Sequence, residues 1–131
     1  KTLKEKLTTT PILACPDFGQ TFVLRVDASG DGLGASLTQT QNGKEVVIAY
    51  GSRLLTGNER KLSVTENECL ALVWAVKKFR PYLEGYHFIA ESDHQALRWL
   101  QKLETPSGRL ARWVLELQQH DMEIRYRKGA L

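Results

Sequence analysis

The chain has 131 residues, of which 42% are hydrophobic and 25% charged, the balance of one globular domain with its own core and not of a disordered segment. No apolar run approaches the ~20 residues needed to cross a bilayer, and no signal-peptide core follows the lysine-containing N-terminus, so an intracellular chain is expected. The net charge of +3 and pI near 9.0 suit an anionic partner without identifying one.

Taken in chain order, Lys1 to Thr10 reads as a short polar helix. The stretch "TPILACPDFGQ" breaks it with two prolines and a glycine, so residues 1–20 are expected to link the domain to something upstream. Three strand-like runs follow: "TFVLRVDAS", "GLGASLTQT" and "EVVIAYGSR". The last two are separated by "QNGK", where Asn-Gly supplies the positive φ that a tight hairpin needs, and the three runs predict an antiparallel meander.

The segment "SVTENECLALVWAVKKFRPYLEG" has a Ser/Thr start, acidic first turns and a closing glycine, and predicts one long helix. Leu72, Ala75, Val76, Phe79 and Leu83 recur at helical spacing and define its buried face. Glu68, four residues before Leu72, continues that face, whereas Glu66 points about 160° away. "YHFIAESD" reads as a fourth strand, its alternation weakened by cover on both faces. A short helix over "HQALRWLQKL", a turn, a helix over "RLARWVLELQQH" and a closing strand "MEIRYRK" complete the chain. The order βββ-α-β-α-α-β predicts a five-stranded mixed α/β sheet, three antiparallel strands and then two parallel ones reached by helical crossovers.

Cys15 and Cys69 lie far apart with no metal-ligand spacing, so reduced thiols are expected. "GDGLG" leads into a strand and not a helix, which excludes a dinucleotide loop. Trp74, Trp99 and Trp113 fall on apolar helical stretches and read as packing residues, while His87 and His120 have no evident partners. The basic clusters Lys77, Lys78 and Arg80, then Arg98 and Lys102, then Arg109 and Arg112, read equally as solvated helix faces or as a nucleic-acid track.

The acids are more specific. The strand that ends "FVLRVDAS" is apolar until Asp27, and a buried carboxylate must be paired, hydrogen-bonded or metal-bound. Asp93 ends the fourth strand, and ligands of open sheets of this kind bind beyond the carboxyl ends of the strands. Asp27, Glu68 and Asp93 are therefore expected to converge on one edge. Oxygen ligands suit Mg²⁺ or Mn²⁺, and two such ions ~4 Å apart can clamp both oxygens of a phosphodiester displacement. The alternative is structural: Asp27 capping the glycine turn, Glu68 favouring the helix dipole, Asp93 capping the next helix.

Three pieces, "PDFGQTFVLRVDASGDGLGASLTQ", "IAYGSRLLTGNERKLSVTENECLALVWAVKKFRPYLEGYHFIAESDHQALRWL" and "GRLARWVLELQQHDMEIRYRKG", cover nearly the whole chain. Together they resemble the ribonuclease H domain that follows reverse transcriptase in the Pol polyproteins of gypsy-type LTR retrotransposons. The resemblance implies a ribonuclease H-like fold over residues 21–131 and metal-dependent endonucleolytic cleavage of the RNA strand of RNA/DNA hybrids. It also implies Asp27, Glu68 and Asp93 as catalytic and Mg²⁺- or Mn²⁺-binding residues, and an upstream reverse transcriptase domain as partner. Ser29, Arg98, Arg109 and Arg112 are the candidate nucleic-acid contacts, His94 is read as structural, and localisation would be cytoplasmic, in a retroelement particle. Two departures stand out. Leu62 replaces a usual tyrosine, and the family's fourth carboxylate, in "ADALSR" on a helix after the last strand, has no counterpart before the chain ends at "YRKGAL". Asp121 and Glu123 are not placed to substitute for it. A chain lacking that C-terminal helix is expected to bind metal more weakly, and the alternative function is a catalytically impaired connector or interaction module.

Overall fold

The computed structural model describes residues 14–92 and 108–127. Three β-branched and apolar runs form β1 (Phe22–Ala28), β2 (Gly32–Gln41) and β3 (Lys44–Leu54), paired antiparallel in succession. Asn42 (φ 54°) and Gly43 (φ 79°) form the β2–β3 turn, in the left-handed region where Asn and Gly are the inexpensive residues. After a 3₁₀ turn (Glu59–Lys61) come helix α1 (Val64–Lys78), the short helix α2 (Arg80–Leu83), β4 (Phe88–Ser92), helix α3 (Gly108–Gln118) and β5 (Met122–Tyr126). The sheet order is β3-β2-β1-β4-β5, with β4 parallel to β1 and β5 parallel to β4. The expected meander and parallel pair are both present, and β1 lies at the centre.

The expected single helix over residues 63–85 is two. Its start follows the sequence signature: Ser63 Oγ accepts from the Glu66 amide at 3.1 Å, and Glu66 Oε1 accepts from the Ser63 amide at 3.0 Å, a reciprocal capping box. The break falls at Phe79 (φ −100°, ψ 19°), two residues before Pro81. Proline has no amide proton to continue the ladder of α1, whereas in the first turn of α2 that proton is not needed.

Residues paired across neighbouring strands share a face. Phe22, Leu24 and Val26 of β1, Ala35 and Leu37 of β2, and Phe88 and Ala90 of β4 are buried on one face, beneath α1. Leu72, Ala75, Val76, Phe79 and Leu83 are all buried, so the helical spacing identified the correct face. Trp74 and Trp113 pack against the same core, as expected of packing residues.

β4 departs from expectation, because its burial alternates strictly. Its second face carries charge: Glu91 accepts from Arg25 Nε at 2.8 Å and from Arg127 Nη1 at 3.2 Å, while Arg25 also holds both oxygens of Glu45. These pairs run across β3, β1, β4 and the end of β5. Hydrogen bonding to Glu45 and Glu91 overcomes burial and raises the Arg25 pKa. The readings of a helix over Lys1 to Thr10 and of a short helix over "HQALRWLQKL" fall outside the described residues, as do His94 and Trp99.

Phe79 is fully buried at the junction of α1 and α2. Phe79→Ala is expected to cost about 3–5 kcal/mol in urea denaturation, as a large-to-small core change. A loss under about 1 kcal/mol would show that this face of α1 is not the one that holds the helix to the sheet.

Candidate functional site at the carboxyl edge of the sheet

Asp27 is the penultimate residue of β1. On the strand alternation it lies opposite buried Val26, is itself half-buried, and lines a shallow cleft with Ser29, Gly34, Ser52 and Arg53. Glu68 lies on α1, one residue past the first turn, and is only 4% exposed. It lines a neighbouring cleft with Ser29, Gly30, Leu62 and Asn67. Ser29, in the turn that follows Asp27, belongs to both clefts, so the two carboxylates flank one short stretch of chain. Their being half-buried and buried removes the simplest structural alternative, an exposed first-turn acid, for Glu68.

Ser92 ends β4 with 2% exposure, and its hydroxyl donates to Glu68 Oε2 at 3.4 Å. The β1–β4 register aligns Arg25 with Glu91, so Ser92 falls level with Val26 at the same edge as Asp27. Asp93 follows Ser92 in sequence, and it and Arg98 lie outside the described residues.

Ser29 is exposed, and its polar atoms are engaged. Its amide donates to Gly32 O at 2.9 Å, and its hydroxyl oxygen accepts from the amides of Asp31 and Gly32 at 3.2 and 3.1 Å. This is a hydroxyl-stapled turn, and "GDGLG" leads through it into β2, a strand and not a helix. Asn67, on α1 beside Glu68, donates from Nδ2 to Ser29 O at 2.7 Å. Neither Ser92 nor Asn67 was singled out in the sequence. Ser92 could have been found from the period-two alternation that puts it on the helix face of β4, and Asn67 only from its adjacency to Glu68.

The donors at this edge are oxygens. Cys69, next to Glu68, is fully buried, and burial pushes its thiol up to about 12, so it stays protonated at neutral pH and is a poor ligand. Among the described residues no three His, Cys, Asp or Glu gather as a metal site. Asp27 and Glu68 thus fit part of the oxygen-ligand set that a hard divalent cation needs, and Asp93 is the sequence's candidate to extend it.

Most basic side chains bordering the clefts carry their own carboxylate. Arg53 is held bidentate by Glu59 at 2.7 and 2.8 Å, and Arg60 pairs with Asp31 at 3.0 Å. Arg109, a candidate nucleic-acid contact, pairs with Glu66 at 3.6 Å, while Arg112 is exposed. The cluster at the far end of α1 is similar: Lys77 pairs with Glu116 and Arg80 with Glu84. His87, without an evident partner in the sequence, meets Asp121 at 2.9 Å, and His120 lies edge-on to Phe88.

The sheet order and parallel β1–β4–β5 arrangement are those of a ribonuclease H-like protein. Two solved structures illustrate the likeness. The foamy viral protease-reverse transcriptase dRH in complex with double-stranded DNA superposes with a TM-score of 0.74 at 22% identity, over 89% of this chain and 21% of that one. LC11-RNase H1 in complex with RNA/DNA hybrid gives 0.61 at 10% identity, over 83% of this chain and 86% of that one.

Sequence narrows the class further. Residues 17–120 match the RNase H-like domain found in reverse transcriptase, and the chain belongs to that family. It is 46% identical to the retrovirus-related Pol polyprotein from transposon 297 and 41% identical to that from transposon 412, both of Drosophila melanogaster, over 97% of its length. The corresponding polyprotein from transposon gypsy of the same organism is 34% identical over 90% of the chain. The chain spans only 10 to 12% of these relatives. Among the described residues no helix is long and apolar enough to cross a membrane.

The Arg53–Glu59 pair on the cleft wall has a measurable signature. The Arg53 guanidinium, then the Thr56 amide, hold the Glu59 carboxyl down from 4.5 to about 2. A carboxyl whose pKa is lower folded than unfolded stabilises above the unfolded value, and the contribution is lost as pH falls through the folded one. Stability should therefore drop between about pH 4.5 and 2, and Glu59→Gln should lessen that drop. Identical pH profiles of the urea midpoint in both proteins would show that the pair contributes nothing.

Proposed function

We propose that this chain is a ribonuclease H domain that hydrolyses the RNA strand of RNA/DNA hybrids endonucleolytically, leaving 5′-phosphate and 3′-hydroxyl ends, within a polyprotein that also carries a reverse transcriptase. The observation that carries the proposal is Glu68: a carboxylate buried to 4% exposure on α1, bonded to Ser92 and set beside the turn that follows Asp27. Burying an ionisable side chain at the carboxyl edge of a sheet is costly for stability alone. It is what a cation site demands.

On this reading Asp27, Glu68 and Asp93 hold Mg²⁺ or Mn²⁺. Such ions, when bound, supply a water activated for attack and neutralise charge on the leaving oxygen. Glu68 contributes a carboxylate fixed by helix packing and by the Ser92 hydroxyl, so little ordering is left for the moment of binding. Asp27 contributes the more accessible carboxylate, at the mouth of the cleft it shares with Ser29 and Ser52. The exposed Arg112, with Arg98 and Arg109, would meet the phosphate backbone. The choice of hybrid would rest on backbone shape and the 2′-hydroxyl, not on base edges. Residues 1–20 would connect to the upstream reverse transcriptase and 21–131 would form the nuclease, in the cytoplasm of the cell that makes the polyprotein. The segment Cys15–Asp17 is tied to β2, since Gln41 Nε2 donates to Cys15 O at 2.8 Å and Gln39 exchanges two bonds with the Asp17 backbone.

The test is a hybrid labelled on its RNA strand, with double-stranded RNA and double-stranded DNA as controls, assayed with this chain and with a longer polyprotein segment containing it. Mg²⁺-dependent cleavage of the RNA strand is expected, abolished by Asp27→Asn or Glu68→Gln, and binding should weaken steeply with salt as phosphate contacts release counterions. Binding without cleavage in both proteins would favour the non-catalytic interaction module instead.

A further inference from the structure

We propose that Asn67 is a positioning residue: its carboxamide locks the turn that follows Asp27 onto the helix that carries Glu68, and so sets the two carboxylates in register before any cation arrives. The inference rests on the ribonuclease H reading above. The two acids belong to elements that are distant in sequence, a strand end and a helix, and a cation held by both requires their separation to be fixed. Packing of α1 on β1 fixes the helix and the buried body of the strand, and leaves the half-buried strand end at Asp27 and Ala28 less constrained. It does not fix the turn, which is exposed at Ser29 and Gly30.

The turn is nevertheless a rigid block. Ser29 closes it through its amide, which donates to Gly32 O, and through its hydroxyl oxygen, which accepts from Asp31 and Gly32. Asn67 Nδ2 reaches out of α1 to the one remaining polar group of Ser29, its carbonyl, at 2.7 Å. The anchor point is thus two residues from Asp27 on one side and one residue from Glu68 on the other.

A second observation concerns the other end of the same carboxamide. Among the described residues Asn67 Oδ1, which is buried, meets no hydrogen-bond donor, in the cleft that Ser29, Asn67 and Glu68 line together. A buried acceptor left without a donor is destabilising, so packing alone does not account for a carboxamide here. The donor side gives the reason for it. Partners that orient metal-binding groups without touching the metal change affinity about 10- to 100-fold when removed.

The experiment is Mn²⁺ titration calorimetry on the wild type, Asn67→Ala, Asn67→His and Asp27→Asn, with amide hydrogen exchange of the metal-free proteins. Asn67→Ala should weaken Mn²⁺ binding at least about ten-fold and speed exchange at the Ser29 and Gly32 amides. Asn67→His, whose ring Nδ1–H offers a donor at similar reach, should recover most of the affinity. Wild type that binds Mn²⁺ while Asn67→Ala binds it within about two-fold, or Asn67→His that is no better than Asn67→Ala, would overturn the positioning role and leave the nuclease reading intact. Equal heats in wild type and Asp27→Asn would overturn both, because the carboxylates would then not be the metal site.

Discussion

Everything at the candidate site depends on how α1 lies across the sheet. Its apolar stripe, Leu72, Val76 and Phe79, packs on the face formed by Leu24, Val26 and Leu37, all of them buried. Because side chains four residues apart share a helix face, seating Leu72 against the sheet necessarily turns Glu68 inward at the carboxyl edge. The capping box at Ser63 and Glu66 fixes where the helix starts, and the break at Phe79 imposed by Pro81 fixes where it stops. The helix therefore has little freedom to slide, and the acid it carries has little freedom to leave the edge. Hydrophobic packing remote from the proposed site holds the helix and the strand that carry its acids, and the Asn67 bond to Ser29 ties the turn between them.

The two faces of the sheet solve different problems. One is apolar and covered by α1. The other carries Arg25 and Glu91, both largely buried, with Glu45 and Arg127 completing a chain of alternating charge from β3 through β1 and β4 to the residue after β5. Arg25 sits two residues before Asp27 on the same alternation, so the central strand brings a cation and an anion to one face. The cation is held by carboxylates on either side, Glu45 and Glu91. Among the described residues, Arg53, Arg60, Lys77, Arg80, Arg109 and Arg125 follow the same pattern of local pairing.

Much of this was legible in the sequence because it follows from periodicity. The Asn42-Gly43 turn, the Ser63 start, the buried stripe of α1 and the choice of Glu68 over Glu66 each follow from a local rule, and the structure agrees with each. The two misses have different causes. The single helix over residues 63–85 failed because the weight given to the helical stripe outran the local veto of Pro81. The two-sided cover of β4 failed because its second face carries half-buried Ile89 and Glu91, with Glu91 held by partners on β1 and after β5 that no local pattern displays. Ser92 and Asn67 were missed for the same reason, since their importance lies in contacts across 24 and 38 residues of sequence. Of the three acids, two lie at the described edge, and Asp93 remains the sequence's candidate for the third.

The central claim is that a divalent cation sits at the carboxyl edge of the sheet between the ends of β1 and β4 and the start of α1. The direct measurement is paramagnetic broadening of the ¹⁵N–¹H spectrum by substoichiometric Mn²⁺. The account predicts that the amide signals of Asp27 to Gly30, Asn67 to Cys69 and Ser92 vanish first, with those around Glu84, Glu116 and Asp121 at the other end of α1 untouched. Broadening that begins at those distal acids, or that spreads evenly over the surface carboxylates, would contradict it.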